Sequence, residues 1–228
     1  MDPALGVVPA RHVGGPVTAA GPPSPPTAVR PFTLVDLPGV YRVCLRTGDS
    51  GRDATALYRD PDLLAHIYAA PYPAADPGLT FVAHDEEGLL GYVVGTADTY
   101  AFEEWLAEHW WPPLRGRYPE ALATDPGDGT LDWQRVAHIH QARPVDEPLY
   151  ERFPAHLHID ILPRGQRTGL GRRLMTTLLT ALRGRGVSGV HLGVGSGNPR
   201  AHAFYLAVGF TETSRDDWGA VMVMDLTQ

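Results

Sequence analysis

The sequence predicts an α/β (α+β) domain built on a mixed, mostly antiparallel sheet, and two patterns carry this prediction. Two apolar runs, residues 80–85 and 89–97, flank a Glu-Glu-Gly turn and are typical of an antiparallel hairpin. Further along, a strand at 155–162, a glycine-containing turn, an amphipathic helix to about Arg183 and a strand at 189–195 follow one another. Because the crossover helix returns the chain to the same edge of the sheet, the flanking strands must pair in parallel.

Composition narrows the class of protein before any motif is considered. The chain has 228 residues, 43% of them hydrophobic, which fits a globular protein with one core. Its net charge of −7 argues against a nucleic-acid partner, because affinity for a phosphate backbone needs clustered positive charge. No apolar run reaches transmembrane length, and the chain start lacks the pattern of a signal peptide. We therefore expect a cytoplasmic protein with no membrane partner.

Residues 1–29 are rich in Pro, Gly and Ala and have too little apolar periodicity to form a core. They predict a disordered tail, since the alternative, a proline-rich ligand, would need aromatic or basic specificity residues that this segment lacks. The rest of the chain, residues 30–228, is predicted to form a single domain. A homodimer is an assembly that the sequence permits without specifying.

A short strand and two helices are expected before the hairpin. The strand covers residues 29–34, and Asp36 then has the chemistry of an N-cap for a helix that runs to about Arg46. Cys44, the one cysteine of the chain, falls on the apolar face of that helix, which favours a buried thiol over a nucleophile. A single cysteine also excludes an internal disulfide. The second helix fits residues 61–70.

Residues 100–154 form a family-specific insertion with a composition of its own. We predict a helix near 101–109 and a strand near 135–142 in it. Core packing is one interpretation of its tryptophans, and an aromatic wall over a pocket is the other. Four of the five tryptophans of the chain lie here: Trp105, Trp110, Trp111 and Trp133.

The last third of the chain has the sharpest periodicity. Leucines spaced four residues apart mark the buried face of the long helix, and Gly184 supplies its end. A short helix then starts at Pro199, and a closing hairpin runs through Phe210 and residues 221–224. The leucine stripe comprises Leu170, Leu174, Leu178 and Leu182.

The turn Gln166-Arg-Thr-Gly-Leu-Gly171 at the start of this helix is suited to phosphate. Its two glycines permit positive φ and close approach of a ligand, while the free N–H groups of the first helical turn point at one spot. Four arginines crowd around it: Arg164, Arg167, Arg172 and Arg173.

Competing glycine motifs do not fit. The chain has no lysine, which removes a Walker-type loop. A dinucleotide fingerprint would need a third glycine where Leu174 stands, and Arg200 breaks the second glycine cluster in the same way. Ser196 is not in Gly-x-Ser-x-Gly, because Val194 replaces the first glycine.

Two motifs in register resemble those of the GNAT family of N-acetyltransferases. Ile159-x-Ile161-x-Pro163 followed by Gln166-x-x-Gly169-x-Gly171 resembles the strand and pyrophosphate turn of the family. Asn198, Ala201, Phe204-Tyr205 and Gly209-Phe210 resemble its next signature. The sharp motifs cover 156–210, and the architecture covers about 29 to the C-terminus.

Within that family, residues 153–163 further resemble the acetyltransferase-like domain attached to O-GlcNAc hydrolases and its stand-alone bacterial relatives. Animal members of that group are thought to have lost the phosphate turn, which this chain keeps.

The resemblance implies a GNAT fold, in which a central parallel strand pair splays apart within a mostly antiparallel sheet flanked by helices. It also implies an enzyme that moves acetyl from acetyl-CoA to a primary amine by direct attack in a ternary complex. The alternative is a pseudo-acetyltransferase or sensor that binds acetyl-CoA without turnover. The co-substrate would contact Ile161, Leu162, Pro163, Gln166, Arg167, Thr168, Gly169, Leu170, Gly171, Arg172, Asn198 and Phe204.

The resemblance assigns chemistry to a few side chains. Tyr205 matches the position that often protonates the departing sulfur, while a packed, hydrogen-bonded tyrosine is the alternative. A backbone N–H near Leu162 would hold the oxyanion. Asp160 is the first choice for the base and His158 the second, because in an unbroken strand they and His156 share one face.

A zinc site is the remaining alternative, because His138-Ile-His140 and His156-Leu-His158 are both His-x-His on predicted strands. Isolated pairs of this kind are weak evidence, and the family needs no metal, so we expect none. The acceptor amine stays open among protein lysine, a small metabolite, an aminosugar and an antibiotic.

Overall fold

The computed structural model describes residues 28–141 and 147–227. Residues 1–27, where the tail is predicted, and 142–146 of the insertion lie outside the described residues. One seven-stranded sheet has the order β1-β2-β3-β4-β5-β7-β6. Its strands are β1 Val29–Pro31, β2 Thr80–Asp85, β3 Gly88–Thr96, β4 Ala155–Ile161, β5 Gly189–Gly195, β6 Thr211–Arg215 and β7 Gly219–Asp225.

Helices cover both faces of the sheet. The helix α8 packs on β2, β3 and β4 from one side, and α1 packs on β3 and β4 from the other. The helices are α1 Leu37–Thr47, α2 Leu63–Tyr68, α3 Pro71–Ala75, α4 Thr99–Trp105, α5 Trp111–Arg117, α6 Asp132–His140, α7 Pro148–Arg152, α8 Leu170–Gly184 and α9 Pro199–Ala207.

The hairpin, the parallel pair and the long helix are confirmed. Strands β2 and β3 pair antiparallel, β4 and β5 pair in parallel, and β6 and β7 close the sheet as a hairpin. All four leucines of the predicted stripe on α8 are buried against the sheet. Burial of one such side chain stabilises the fold by about 1.5–3 kcal/mol, so the stripe fixes α8 on the sheet.

The central parallel pair opens almost at once. Strand β4 is in register with β3 over six positions, from His156 to Ile161, without a bulge. It pairs with β5 at only two positions, Ala155 with Val190 and His156 with His191. Beyond these residues the two strands separate and leave a gap between their carboxyl ends. The splayed pair implied by the family resemblance is therefore present.

The predicted strand at 135–142 is wrong. Residues 132–140 form the helix α6, and Ala142 lies outside the described residues. Val136 and Ile139 are the buried side chains of α6, a spacing of three that a helix satisfies and a strand does not. The Asp132 carboxylate accepts hydrogen bonds from the backbone N–H groups of Arg59 and Asp60, which anchors the start of this helix.

Other boundaries moved by smaller amounts. The first strand ends at Pro31 and the second helix covers only Leu63–Tyr68, since the chain restarts as α3 at Pro71. The helix near 101–109 is α4, extended by a π-helical turn at Leu106–Trp110. Cys44 is buried as predicted.

Asp36 occupies the N-cap position of α1 but does not cap it with its side chain. Its carboxylate instead binds the Arg30 guanidinium through both oxygens at 2.7 Å. Within the described residues, no helix combines the length and the apolar character needed to cross a membrane.

Candidate functional site

Backbone polar groups of β4 line the gap between β4 and β5. The Leu162 N–H donates to the Leu90 carbonyl at 2.9 Å, which places the even-numbered residues of β4 in hydrogen bonds with β3. The odd-numbered residues Ile159 and Ile161 therefore direct their N–H and C=O groups into the gap. A ligand with amide groups can satisfy those of these groups that have no partner.

This register changes the expected oxyanion donor. Both backbone groups of Leu162 are occupied, because its carbonyl also accepts from the Gly165 N–H at 2.8 Å. The Ile161 carbonyl accepts from the Gln166 side chain at 2.9 Å. The N–H groups that remain for a ligand are those of Ile159 and Ile161, which lie three residues and one residue before Leu162.

The turn after β4 has the backbone shape that an anion site requires. Arg167 and Gly169 both have positive φ, at 62° and 81°. Positive φ is uncommon for a residue other than glycine, and at Arg167 it directs successive N–H groups toward one side. The Thr168 hydroxyl donates to the Gly165 carbonyl and fixes the turn from within. Helix α8 starts at Leu170, immediately after the turn.

The arginines around the turn are not equivalent. Arg164 pairs with Asp85 at 2.6 Å and is already neutralised. Arg172 donates to the Ala207 carbonyl, which ties α8 to α9. Within the described ranges, the guanidinium groups of Arg167 and Arg173 make no hydrogen bond or ion pair, so of these four arginines they are the two free to meet a phosphate.

Helix α9 packs against the start of α8 at the end of the gap. A Cβ on Gly171 would lie 3.1 Å from the Phe204 ring, so the glycine allows this ring to approach. The Asn198 side chain accepts from the Ala201 N–H at 3.0 Å and caps α9. The capping role predicted for Asn198 is confirmed, and Phe204 lies where the phosphate turn and the gap meet.

Tyr205 faces the site with an unengaged hydroxyl. The residue is 8% exposed, and its ring contacts Phe204 and Phe210. Burial raises the pKa of Tyr205, and the negative charge of Asp160 raises it further. Among the residues the structure describes, its hydroxyl makes no hydrogen bond. Tyr205 is thus held protonated at neutral pH with its proton available.

Asp160 is held in place by two hydroxyl groups. The Tyr92 hydroxyl donates to one carboxylate oxygen at 2.5 Å, and the Thr47 hydroxyl lies 2.9 Å from the other. Burial raises the pKa of Asp160, whereas these two hydrogen bonds oppose the shift. Because β4 is unbroken, the predicted polar face of His156, His158 and Asp160 is present.

A cavity of about 980 Å³ opens on that same face, beside the point where β4 and β5 separate. Its walls come mainly from β4, β5, α2, α3 and the insertion, and they include both His156 and His158 but neither Asp160 nor Tyr205. Burial lowers the pKa of His158 to about 4, so its ring is neutral at pH 7. The aromatic part of the wall consists of Tyr68, Tyr72, Phe102, Trp111 and Tyr150.

Tryptophans of the insertion contribute both to an aromatic wall and to packing. Trp111 is buried and lines the cavity, so it is part of an aromatic wall. Trp105 and Trp110 stack on each other, and the Trp110 indole N–H donates to the His66 carbonyl. These two rings pack the insertion against α2.

His156 is locked into one tautomer. The Thr99 hydroxyl donates its one hydrogen to the Pro154 carbonyl at 2.7 Å, so it accepts from the His156 Nδ1–H at 2.8 Å. The Tyr72 hydroxyl then donates to His156 Nε2 at 2.8 Å. Burial holds the pKa of His156 well below its usual value. Both ring nitrogens of His156 are therefore engaged in hydrogen bonds with other residues of the cavity wall.

Sequence reasoning missed His191, the third histidine of this wall. It lies on β5 between the buried residues Val190 and Leu192. A polar residue within an apolar strand is the same signal that drew attention to the histidines of β4, and it could have been applied here.

The zinc alternative required both His-x-His pairs to lie on strands, and only the pair of β4 does. His138 and His140 lie on α6, and the His140 Nε2 is 2.7 Å from the Tyr118 carbonyl. Over residues 28–141 and 147–227, no three His, Cys, Asp or Glu side chains form a group that could hold a metal ion. The absence of a metal stays an expectation.

Comparison with known proteins agrees with this architecture. The model of the acetyltransferase (GNAT) family matches residues 52–210. A crystal structure of SsHAT superposes with a TM-score of 0.80 and 40% identity, covering 90% of this chain and all of that one. Structures with lower identity share the fold, such as yncA from Salmonella typhimurium with acetyl-CoA (TM-score 0.53, 15% identity, 90% of this chain and 96% of that one).

Curated relatives include Protein O-GlcNAcase of Rattus norvegicus and of Mus musculus, each 26% identical over 201 residues. These matches cover 85% of this chain, which spans about a fifth (21%) of the length of those proteins. A splayed parallel pair ending in an anion-binding turn defines an acetyltransferase-type fold. The chain belongs to the GNAT acetyltransferase family.

Proposed function

We propose that the protein is an N-acetyltransferase that transfers acetyl from acetyl-CoA to a primary amine by direct attack in a ternary complex. The observation that carries this proposal is that the gap and the cavity meet at one vertex, the point where β4 and β5 separate. The gap between β4 and β5 runs from the phosphate turn to His156 and His191, and the 980 Å³ cavity opens beside the same two residues. A thioester and an amine can therefore meet there.

The co-substrate would lie along the gap with its pyrophosphate on the turn. The N–H groups of the first turn of α8, with Arg167 and Arg173, supply positive charge to the phosphates. The amides of pantetheine would pair with Ile159 and Ile161. An N–H of one of these residues would also hold the oxyanion as the thioester carbonyl becomes tetrahedral.

Tyr205 would protonate the departing sulfur. In water, transfer from a phenol near pKa 10 to a thiolate near 8.5 is uphill by about 2 kcal/mol. Burial raises the pKa of Tyr205, and the same apolar surroundings raise that of the thiol, so the two effects partly cancel. Asp160, whose charge keeps Tyr205 protonated, would also attract an ammonium group toward the vertex.

Two side chains of β4 are candidates for the base. Asp160 remains the candidate with formal charge, acting through a water because it does not line the cavity, and His158 is the one on the wall. A primary amine of small or flat shape suits the aromatic lining. Acetyl-CoA is a cytoplasmic metabolite, so we place the protein in the cytoplasm, and a homodimer remains compatible with this function.

A pair of matched glycine variants tests the co-substrate site. Gly169 and Gly127 both have positive φ, 81° and 70°, and at both an added side chain meets open space. Gly169→Asp places a carboxylate beside the pyrophosphate, where two charges 4 Å apart repel by about 4 kcal/mol at an effective dielectric of 20. After screening we expect calorimetry to show about 100-fold weaker acetyl-CoA binding. Gly127→Asp has the same charge and backbone cost and should bind normally.

Turnover is then measured as thiol release with a lysine peptide, glucosamine, phenethylamine and kanamycin as acceptors. Release with at least one amine that depends on the intact turn supports the proposal. Equal acetyl-CoA affinity of the two aspartate variants would remove the phosphate assignment. Tight acetyl-CoA binding without release for any amine would instead identify a binding module without turnover.

A further inference from the structure

His191 occupies the vertex where β4 and β5 separate. It is the last residue of β5 that pairs with β4, directly opposite His156, and its ring lines the cavity. The two imidazole rings lie 5.6 Å apart. His191 is 7% exposed, so what remains open of its surface faces the space that an acceptor would fill.

The hydrogen bond of His191 defines its tautomer. Its Nδ1 lies 2.7 Å from the Phe153 carbonyl oxygen, which can only accept, so Nδ1 carries the hydrogen. The neutral ring therefore has a bare lone pair on Nε2, and this atom has no hydrogen-bond partner in the described part of the chain. Stacking on Tyr150, with ring centroids 4.3 Å apart and planes at 13°, fixes the ring orientation.

The three candidate bases of β4 lack this combination. His156 has both nitrogens engaged, by Thr99 and by Tyr72. Asp160 does not line the cavity. His158 lines it, but within the described residues no hydrogen bond stabilises its cation. For His191, the Phe153 carbonyl opposes the lowering of the pKa by burial, so its cation is the better supported of the two.

We propose that His191 Nε2 is the proton acceptor for the amine during acetyl transfer. This role rests on the proposed function. The carbonyl partner on Nδ1 orients the imidazole and stabilises the imidazolium, as an oriented second group does in other nucleophile–base pairs.

The step balances as follows for an amine that has lost its ammonium proton to solvent. The amine nitrogen attacks the thioester carbon, and the C=O electron pair becomes an oxyanion. The proton left on nitrogen passes to His191 Nε2 as the intermediate collapses and the C–S bond breaks. Sulfur takes the proton of Tyr205, the phenolate regains one from solvent, and His191 releases its own to solvent. From the free amine the products are an amide and CoA with no net proton, and counted from the ammonium form one proton is released.

His191→Asn is the informative variant, because its side-chain amide can still donate to Phe153 but offers no base at the Nε2 position. We expect kcat/KM for the best acceptor of the four-amine panel to fall about 100-fold, with acetyl-CoA affinity unchanged. His140→Gln is the matched control. His140 also sits on a backbone carbonyl, that of Tyr118, and lies outside the cavity wall, so normal turnover is expected.

Two further measurements separate catalysis from folding. Added imidazole should restore turnover of His191→Ala, because a free base can enter the space left by the ring. Nitrogen-15 NMR of the wild-type protein should show His191 as the Nδ1–H tautomer at neutral pH.

Turnover of His191→Asn within tenfold of wild type, or an Nε2–H tautomer in the NMR spectrum, would overturn the assignment while acetyl transfer itself stands. If wild-type protein acetylates none of the four amines, the proposed function fails, and the role of His191 fails with it.

Discussion

The hydrogen bonds that fix the tautomer of His156 can be tested by removing one hydroxyl group. Thr99→Val keeps the shape of a side chain that is 3% exposed but deletes the acceptor of the His156 Nδ1–H. A buried donor without a partner costs about 1–3 kcal/mol, while the new methyl group recovers at most about 0.8 kcal/mol by burial. The Pro154 carbonyl keeps its second donor, the Thr99 N–H at 2.8 Å. The net loss of stability is about 1–2 kcal/mol.

Urea unfolding followed by circular dichroism measures this loss, and Tm should fall by about 2–8 °C for a chain of this size. Thr177→Val is the control, because the Thr177 hydroxyl bonds only a helix carbonyl, that of Arg173, and its loss should cost less than about 0.5 kcal/mol. Tyr72→Phe deletes the other partner of His156. Because both variants act on one ring, their effects should not add. A Thr99→Val variant as stable as the control would refute the network.

Two more predictions concern the proton of Tyr205 and the charge of Asp36. Tyr205→Phe should lower kcat by 10- to 100-fold with unchanged acetyl-CoA affinity, and an unchanged kcat across pH 6–9 would remove Tyr205 from the proton path. Asp36, whose pKa Arg30 and Thr33 hold well below the usual range, stabilises the fold above its unfolded pKa of about 4. That contribution is lost as pH falls toward the pKa of Asp36 in the folded protein. The difference in free energy of unfolding between wild type and Asp36→Asn, measured by urea titration, should therefore shrink between pH 5 and pH 2. A constant difference would contradict this prediction.

The local sequence pattern was sufficient to predict secondary structure where a segment can bury its apolar side chains in only one way. The leucine stripe of α8 and the hairpin of β2 and β3 are of this kind. It failed at α6, where Val136 and Ile139 were assigned to a strand. A segment as short as 135–142, with His138-Ile-His140 at its centre, fits either period. The anchoring contacts of Asp132 with Arg59 and Asp60 come from a distant segment.

The same division holds for the site. Arg167, Gly169 and Gly171 lie in one short segment of the chain, so the phosphate turn could be predicted from their order alone. The distinction between Leu162 and Ile161 as backbone donors could not be predicted in this way, because it depends on pairing with Leu90, 72 residues earlier in the chain.

The sequence by itself determined the family, the parallel pair, the turn and the polar face of β4, because each is encoded by residues close together along the chain. Only the tertiary structure decided which polar groups are free. Thr99 of α4 and Tyr72 of α3 occupy both ring nitrogens of His156, whereas the Phe153 carbonyl occupies only one nitrogen of His191. Whether a side chain can exchange a proton depends on partners that folding brings from elsewhere, and no local spacing records them.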